Sequence, residues 1–249
     1  MNSEEGLDIR SLATGFSPGF VIDSHTHDWH QLVYATRGVM IVNTPASSWV
    51  VPSHRAVWVP AGTEHQVEMV GSVFLRTLYL RTGLSGSLPK QCCVVNVSPL
   101  LRELIQHTIK LGMLNRFEPS QKRLIGVIID QLETLSTMPL SLPMPQDARA
   151  LRVVEFLRSN PSENCSLDFL AARFGASKRT IERLFLSETE MTFGRWRQQL
   201  RLMHALRLLA AGESVTKAAL EVGYDSTSAF IYAFKSALGT TPGRYYAEK

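Results

Sequence analysis

Residues 166–185, SLDFLAARFGASKRTIERLF, decide the C-terminal fold. Leu167, Leu170, Ala171 and Phe174 fall at helical spacing and form the apolar stripe of a short helix. Gly175 supplies a permissive turn, and Ser177 is placed to cap a second helix. That helix buries Ile181, Leu184 and Phe185 and turns Lys178, Arg179, Glu182 and Arg183 outward. The spacing is that of a helix-turn-helix, whose second helix is free to enter a DNA major groove. The pattern returns in residues 214–234, SVTKAALEVGYDSTSAFIYAF. Val215, Ala218, Ala219 and Val222 repeat the first helix, Gly223 repeats Gly175, and Phe230 and Phe234 repeat Ile181 and Phe185 one residue later. One such hairpin is common in any helical domain, whereas two in register are not.

Between the repeats, residues 193–212 read FGRWRQQLRLMHALRLLAAG, with Trp196, Leu200, Met203, Leu206 and Leu209 apolar and four arginines interleaved. This predicts one helix of about 18 residues, about 27 Å long, which can hold two recognition helices roughly one DNA turn, or 34 Å, apart. The charge distribution agrees in sign. Residues 1–140 hold 11 Lys+Arg against 11 Asp+Glu, and residues 141–249 hold 15 against 11, so the whole excess of +4 is C-terminal.

Upstream, residues 20–82 read as short strands, QLVYA, GVMIVN, SSWVV, AVWVPAG, HQVEMV and SVFLRTLYL, rich in Val, Tyr, Trp and Thr. Helical spacing follows. Ser98 is an N-cap ahead of Pro99, with Leu100, Leu101, Leu104, Ile105 and Ile109 on one face. A second helix carries Leu124, Ile125, Ile128, Ile129, Leu132 and Leu135. These helices can pack on the β domain or on a partner chain, and periodicity does not distinguish the two. Pro139, Pro143 and Pro145 then interrupt the chain. The fold class expected is a multidomain α+β chain, a β-barrel followed by an all-α double helix-turn-helix domain. Its parts are residues 1–90 (barrel), 91–137 (helical segment open to dimerisation), 138–146 (linker) and 147–249 (DNA-binding domain, with helix-turn-helix units at about 167–188 and 215–238).

No stretch approaches the roughly 18 apolar residues of a membrane span, and the N-terminal MNSEEGLDIR is polar, so the expected location is the cytoplasm. Cys92, Cys93 and Cys165 are odd in number and lack a C-x-x-C spacing, which reads as reduced structural thiols.

The stretch from about 149 to 246, including GYDSTSAFIYAFKSALGTTPGRYY, resembles the DNA-binding domain of the AraC/XylS family of transcription regulators. Where that family often has Arg after the final Tyr, this chain has Tyr246. The resemblance implies base reading by Arg179, Glu182 and Arg183, whose chemistry suits guanine O6/N7 and cytosine N4. The equivalent second-helix positions are Thr227, Ser228 and Tyr232, so the first helix is expected to carry more of the discrimination. Lys178, Lys235 and Arg201 are either solvated charges or phosphate contacts.

In the β segment, His25-x-His27-x-x-x-Gln31 and later Pro60-x-Gly62-x-x-His65 resemble the two motifs of the cupin barrel, whose metal-binding members offer three imidazoles and a carboxylate. Gln31 replaces the carboxylate, and Met69 stands where Asn is frequent. Three readings stay open: a divalent transition metal on His25, His27 and His65; a pocket for an organic effector with Trp29, Gln31, Tyr34 and Trp58 as walls; or a structural cluster. HDWHQLVYATRGVM with RAVWVPAGTEH also looks like the sensor domain of nitroimidazole-resistance type regulators, which often govern a neighbouring transporter gene. The function expected is therefore a small-molecule-responsive DNA-binding regulator and not an enzyme. Its expected partners are an operator, an unknown effector, RNA polymerase in the case of an activator, and a second copy of the chain, but no membrane. The alternative from another class is a metal-dependent cupin enzyme fused to a DNA-binding domain.

Overall fold

The computed structural model describes residues 6–53, 55–134, 137–138 and 141–247, and the chain divides into two compact units, Met1–Ser141 and Leu142–Lys249. Leu135 and Pro139 lie outside the described residues. The first unit runs β1 (Leu7–Phe16), β2 (Val21–His25), β3 (His30–Asn43), β4 (Ser47–Pro52), β5 (Arg55–Val59), β6 (His65–Leu80), β7 (Cys93–Asn96), α1 (Pro99–Leu111), β8 (Met113–Asn115), α2 (Pro119–Glu133) and β9 (Thr137–Met138). The sheet thus runs on past residue 90: β7, β8 and β9 join it from the segment read as helical.

Two long antiparallel strands carry the unit. β3 and β6 pair from His30 against Leu80 to Asn43 against Gln66. Residues 73–80 of β6 also pair with β1, whereas its residues 65–68 pair with β2. β3 changes partner in the same way, from β5 at residues 31–34 to β4 at residues 39–43. The sequence reading broke β3 into QLVYA and GVMIVN because of Gly38, yet the strand continues through it as an irregularity in register. Gly38 has φ +87°, and a Cβ there would stand 2.5 Å from the Ser72 carbonyl oxygen, so the position needs glycine for a bulge rather than a turn.

The two helices of this unit cover the sheet. The Ser98 hydroxyl accepts from the Leu101 N–H at 3.0 Å, as its capping position requires. Leu101 and Ile105 of α1 and Ile125, Ile128 and Leu132 of α2 share one apolar cluster with Leu32, Tyr34, Ala56, Trp58, Leu78 and Leu80. Each such buried Leu or Ile contributes about 1.5–3 kcal/mol, enough to hold the helices on the sheet. Leu100, expected on the buried face, is exposed.

The second unit follows β10 (Ser141–Pro143) and is helical: α3 (Ala148–Ser159), α4 (Leu167–Arg173), α5 (Lys178–Thr189), α6 (Phe193–Ala210), α7 (Val215–Glu221), α8 (Thr227–Leu238) and α9 (Pro242–Ala247). A side chain caps each of α3 to α8, namely Asp147, Ser166, Ser177, Thr192, Ser214 and Ser226, each accepting a backbone N–H of the first turn. α6 is the 18-residue helix expected, and it packs against both α5 and α7. Trp196 is fully buried on it, edge-on to Phe185 at 5.2 Å, and its indole N–H donates to the Pro143 carbonyl at 2.8 Å. The second repeat closes in the same way, Phe230 on Phe234 and Phe234 on Tyr245.

Candidate functional site

α4 and α5 form the first helix-turn-helix, α7 and α8 the second. Ile181, Leu184 and Phe185 are buried, and Lys178, Arg179, Glu182 and Arg183 are exposed, so the 3.6-residue period places the charged row outward. Lys178 pairs with Asp168 of α4 at 3.3 Å. On α8, Ser228, Tyr232 and Lys235 are exposed and Thr227 is half-buried; Tyr232 reaches 78% exposure, unusual for an aromatic side chain that serves no packing role. The two outward rows differ in chemistry: three cations and a carboxylate on α5, hydroxyls and one lysine on α8.

Arg201 does not stand with them. Its guanidinium is half-buried on α6 and donates to the Glu163 carbonyl at 3.0 Å and to Asn164 Oδ1 at 2.6 Å. Arg197, one turn earlier, donates to the Cys165 carbonyl at 2.8 Å. Burial lowers the pKa of both arginines from the usual guanidinium value. Together they tie the 163–165 loop to α6, a role that the amphipathic pattern of the helix does not reveal.

In the first unit, the end of β2, the segment that follows it and the start of β6 bring the histidines together. His25 faces His65 across the β2–β6 ladder, their rings 4.3 Å apart, and the His27 ring lies 5.0 Å from that of His65. One ring nitrogen from each of the three lies within 4.8 Å of the others. Nδ1 of His25 lies 2.8 Å from the Asp23 carbonyl, that of His27 2.5 Å from the Trp29 carbonyl and that of His65 2.9 Å from the Thr63 carbonyl. Gln31 Oε1 sits 3.0 Å from Nε2 of both His27 and His65, and its Nε2 donates to the Thr77 hydroxyl at 3.0 Å. Burial pushes His65 down to about 4, so this ring is neutral at pH 7.

His30 leaves the cluster, as strand alternation requires: it stacks on Trp58 and accepts from the Ala61 N–H. The expected aromatic walls do not converge with Gln31 either. Tyr34 and Trp58 lie in the packed cluster beneath α1 and α2, and the Trp58 indole N–H donates to the Pro89 carbonyl. Trp29 is half-buried under the Arg10 guanidinium, 4.4 Å from its ring centroid. Thr77 was missed by the reading of the sequence. It meets Gln31 only because β3 and β6 pair Val33 with Thr77, which no local spacing announces.

Residues 13–113 match the AraC-like ligand binding domain and residues 170–248 a helix-turn-helix domain. The HTH-type transcriptional regulator NimR of Escherichia coli is 38% identical over 223 residues, 90% of this chain and 81% of that protein. This chain belongs to the AraC family of transcription regulators. The HTH-type transcriptional regulator RipA of Corynebacterium glutamicum is 39% identical over 104 residues, 42% of this chain and 31% of that protein. Among solved structures, the DNA-binding domain of AdpA in complex with a target DNA is 31% identical, with 41% of this chain and 92% of that one covered and a TM-score of 0.39. The AraC-family chain is thus a DNA-binding regulator with a separate sheet-rich N-terminal domain of the ligand-binding type. Among its described residues, no helix is long and apolar enough to cross a membrane.

Proposed function

We propose that this regulator reads its operator through two unequal helices, α5 supplying most of the base discrimination and α8 a weaker second reading, while the N-terminal domain takes a small-molecule effector. The observation that carries it is the contrast between the exposed rows. Arg179, Glu182 and Arg183 offer two bidentate guanine donors and a cytosine acceptor, whereas Thr227, Ser228 and Tyr232 offer hydroxyls suited to phosphate, water-mediated or thymine-methyl contacts. Lys178 and Lys235 add sequence-independent phosphate attraction.

The test is Arg183→Ala, measured on the footprinted operator and on random DNA at one salt concentration. The expected loss on the operator is about 1–3 kcal/mol, roughly 5- to 150-fold, with binding to random DNA nearly unchanged. Equal losses on both would reduce Arg183 to a backbone contact and overturn the ranking of the helices. The same footprint, repeated with candidate small molecules, tests the effector: an operator affinity that no compound or metal shifts overturns that part.

A further inference from the structure

The segment that enters the second unit is fastened to its first helix-turn-helix. Pro143 and Pro145 carry no backbone N–H, so between residues 143 and 147 only Met144, Gln146 and Asp147 can donate from the main chain. Two of these donate to a single carboxylate oxygen: Glu188 Oε2 accepts from the Gln146 N–H at 2.7 Å and from the Asp147 N–H at 3.1 Å. The Pro143 carbonyl takes the Trp196 indole N–H at 2.8 Å, and Pro145 is buried. Both anchors lead to α5. Glu188 stands in its last turn, and Trp196 lies edge-on to its Phe185, which also meets Phe193 at 5.2 Å.

Glu188 is out of place by local rules. A carboxylate in a last turn faces the negative end of the helix dipole, and no basic residue in that turn of α5 offsets it. At the start of α3 the same carboxylate meets the positive end of another helix and two N–H groups that lie outside its ladder. Asp147, the N-cap of α3, does not take over this task. Its own carboxylate is turned to Arg149, accepting from the backbone N–H at 2.8 Å and from Nε at 3.0 Å. A residue that costs its own helix and satisfies a distant segment marks a position set by tertiary demand.

We propose that Glu188 is a positioning residue for operator recognition. By holding residues 143–147 against the end of α5, it fixes the angle at which that helix presents Arg179, Glu182 and Arg183. The role rests on α5 as the principal reader of the operator, as proposed above. Arg179 lies about 9 Å along the axis from the packed Phe185 ring, so a tilt of about 5° about that ring moves Arg179 by about 0.8 Å. Contacts as directional as a bidentate pair to guanine need their groups held within about 0.5 Å. Phosphate attraction is long-ranged and survives such a shift. Loss of Glu188 therefore reaches the operator and spares random DNA. Because the same residues are where the chain arrives from the N-terminal unit, the presentation of α5 depends on a segment outside the helix-turn-helix itself.

The experiment uses the full chain carrying Glu188→Ala or Glu188→Gln. Both remove one negative charge, so a general gain in phosphate attraction is common to them, whereas the Gln amide oxygen can still accept from Gln146 and Asp147. Hydrogen exchange over residues 143–147 reads the docking, and titrations of operator and random DNA at one salt concentration read its consequence. In Glu188→Ala, exchange of the Gln146 and Asp147 amides should quicken about tenfold or more, and the ratio of operator to random-DNA affinity should fall about 5- to 10-fold. Glu188→Gln should keep both within about threefold of the wild type. Arg183→Ala on the same DNAs keeps two failures apart. Equal losses there remove α5 as the reader and the positioning role with it; the expected Arg183 result beside wild-type discrimination in Glu188→Ala removes the positioning role alone. That role also falls if exchange is unchanged in Glu188→Ala, if Glu188→Gln loses as much discrimination as Glu188→Ala, or if operator and random DNA weaken together.

Discussion

Arg201→Met separates a structural arginine from a DNA-contacting one. The substitution keeps most of the apolar stem and deletes the guanidinium, which donates to the Glu163 carbonyl at 3.0 Å and to Asn164 Oδ1 at 2.6 Å. Hydrogen bonds from charged donors contribute about 1.5–3 kcal/mol each, but half-exposure screens them and Arg197 also reaches the Glu163 carbonyl, so the pair is reduced to about 2 kcal/mol in total. A helical unit of this size should lose roughly 8 °C in melting temperature. Differential scanning calorimetry of the full chain measures the loss, assigned to this unit by the fluorescence of its buried Trp196. Binding to random DNA, titrated against salt below the new melting point, should keep its slope, because no phosphate contact is removed. A slope reduced by about one unit with no fall in melting temperature would refute the structural role and return Arg201 to the phosphate-binding set.

The two repeats contain a matched glycine pair with unequal surroundings. Gly223→Ala would place a Cβ 2.7 Å from the Ser162 carbonyl oxygen at φ +79°, whereas Gly175→Ala at φ +73° meets nothing within 4 Å. Urea unfolding should therefore show Gly175→Ala costing about 1–2 kcal/mol of left-handed strain and Gly223→Ala clearly more; equal costs would show that the 162–165 loop gives way freely. The pKa of His204 on α6 is lowered, first by burial and then by Arg207. The unfolded chain then binds a proton below about 6.5 that the folded chain refuses, so this unit's stability is fully present above that pH and falls as pH drops through it. His204→Gln should flatten the stability–pH curve of the Trp196 signal between pH 7 and 5, and an unaltered slope would exclude His204 as its source.

The helix-turn-helix repeats were legible because everything that makes them is local. A capping serine, a glycine turn and an apolar stripe lie within twenty residues, and tertiary packing only joins pieces already specified: Ser177 caps, Gly175 turns, and Arg179, Glu182 and Arg183 emerge outward. The long α6 was equally plain from its period. The N-terminal domain was legible only in outline. Gly38 reads as a turn in sequence and is a bulge in β3, because a backbone 34 residues away presses on it. The spacing of His25, His27 and His65 suggested their meeting, but the place of Gln31 between His27 and His65 and its support by Thr77 follow from the register of β3 and β6.

From its sequence alone, then, this protein's class, its two helix-turn-helix units and the unequal chemistry of their exposed rows were determined, since helical periodicity and capping act over a few residues. The tertiary structure alone decided that α1 and α2 close over the sheet, that Tyr34 and Trp58 belong to the core beneath them, that Arg201 braces a loop, and that Gln31 stands between His27 and His65. The bracing by Arg201 depends on how α6 packs against a distant loop, and the other outcomes on which strands pair and in what register. In the sheet, a shift of a single residue would turn Gln31, Tyr34, Trp58 and His65 to the other face, and nothing in the local sequence encodes the difference.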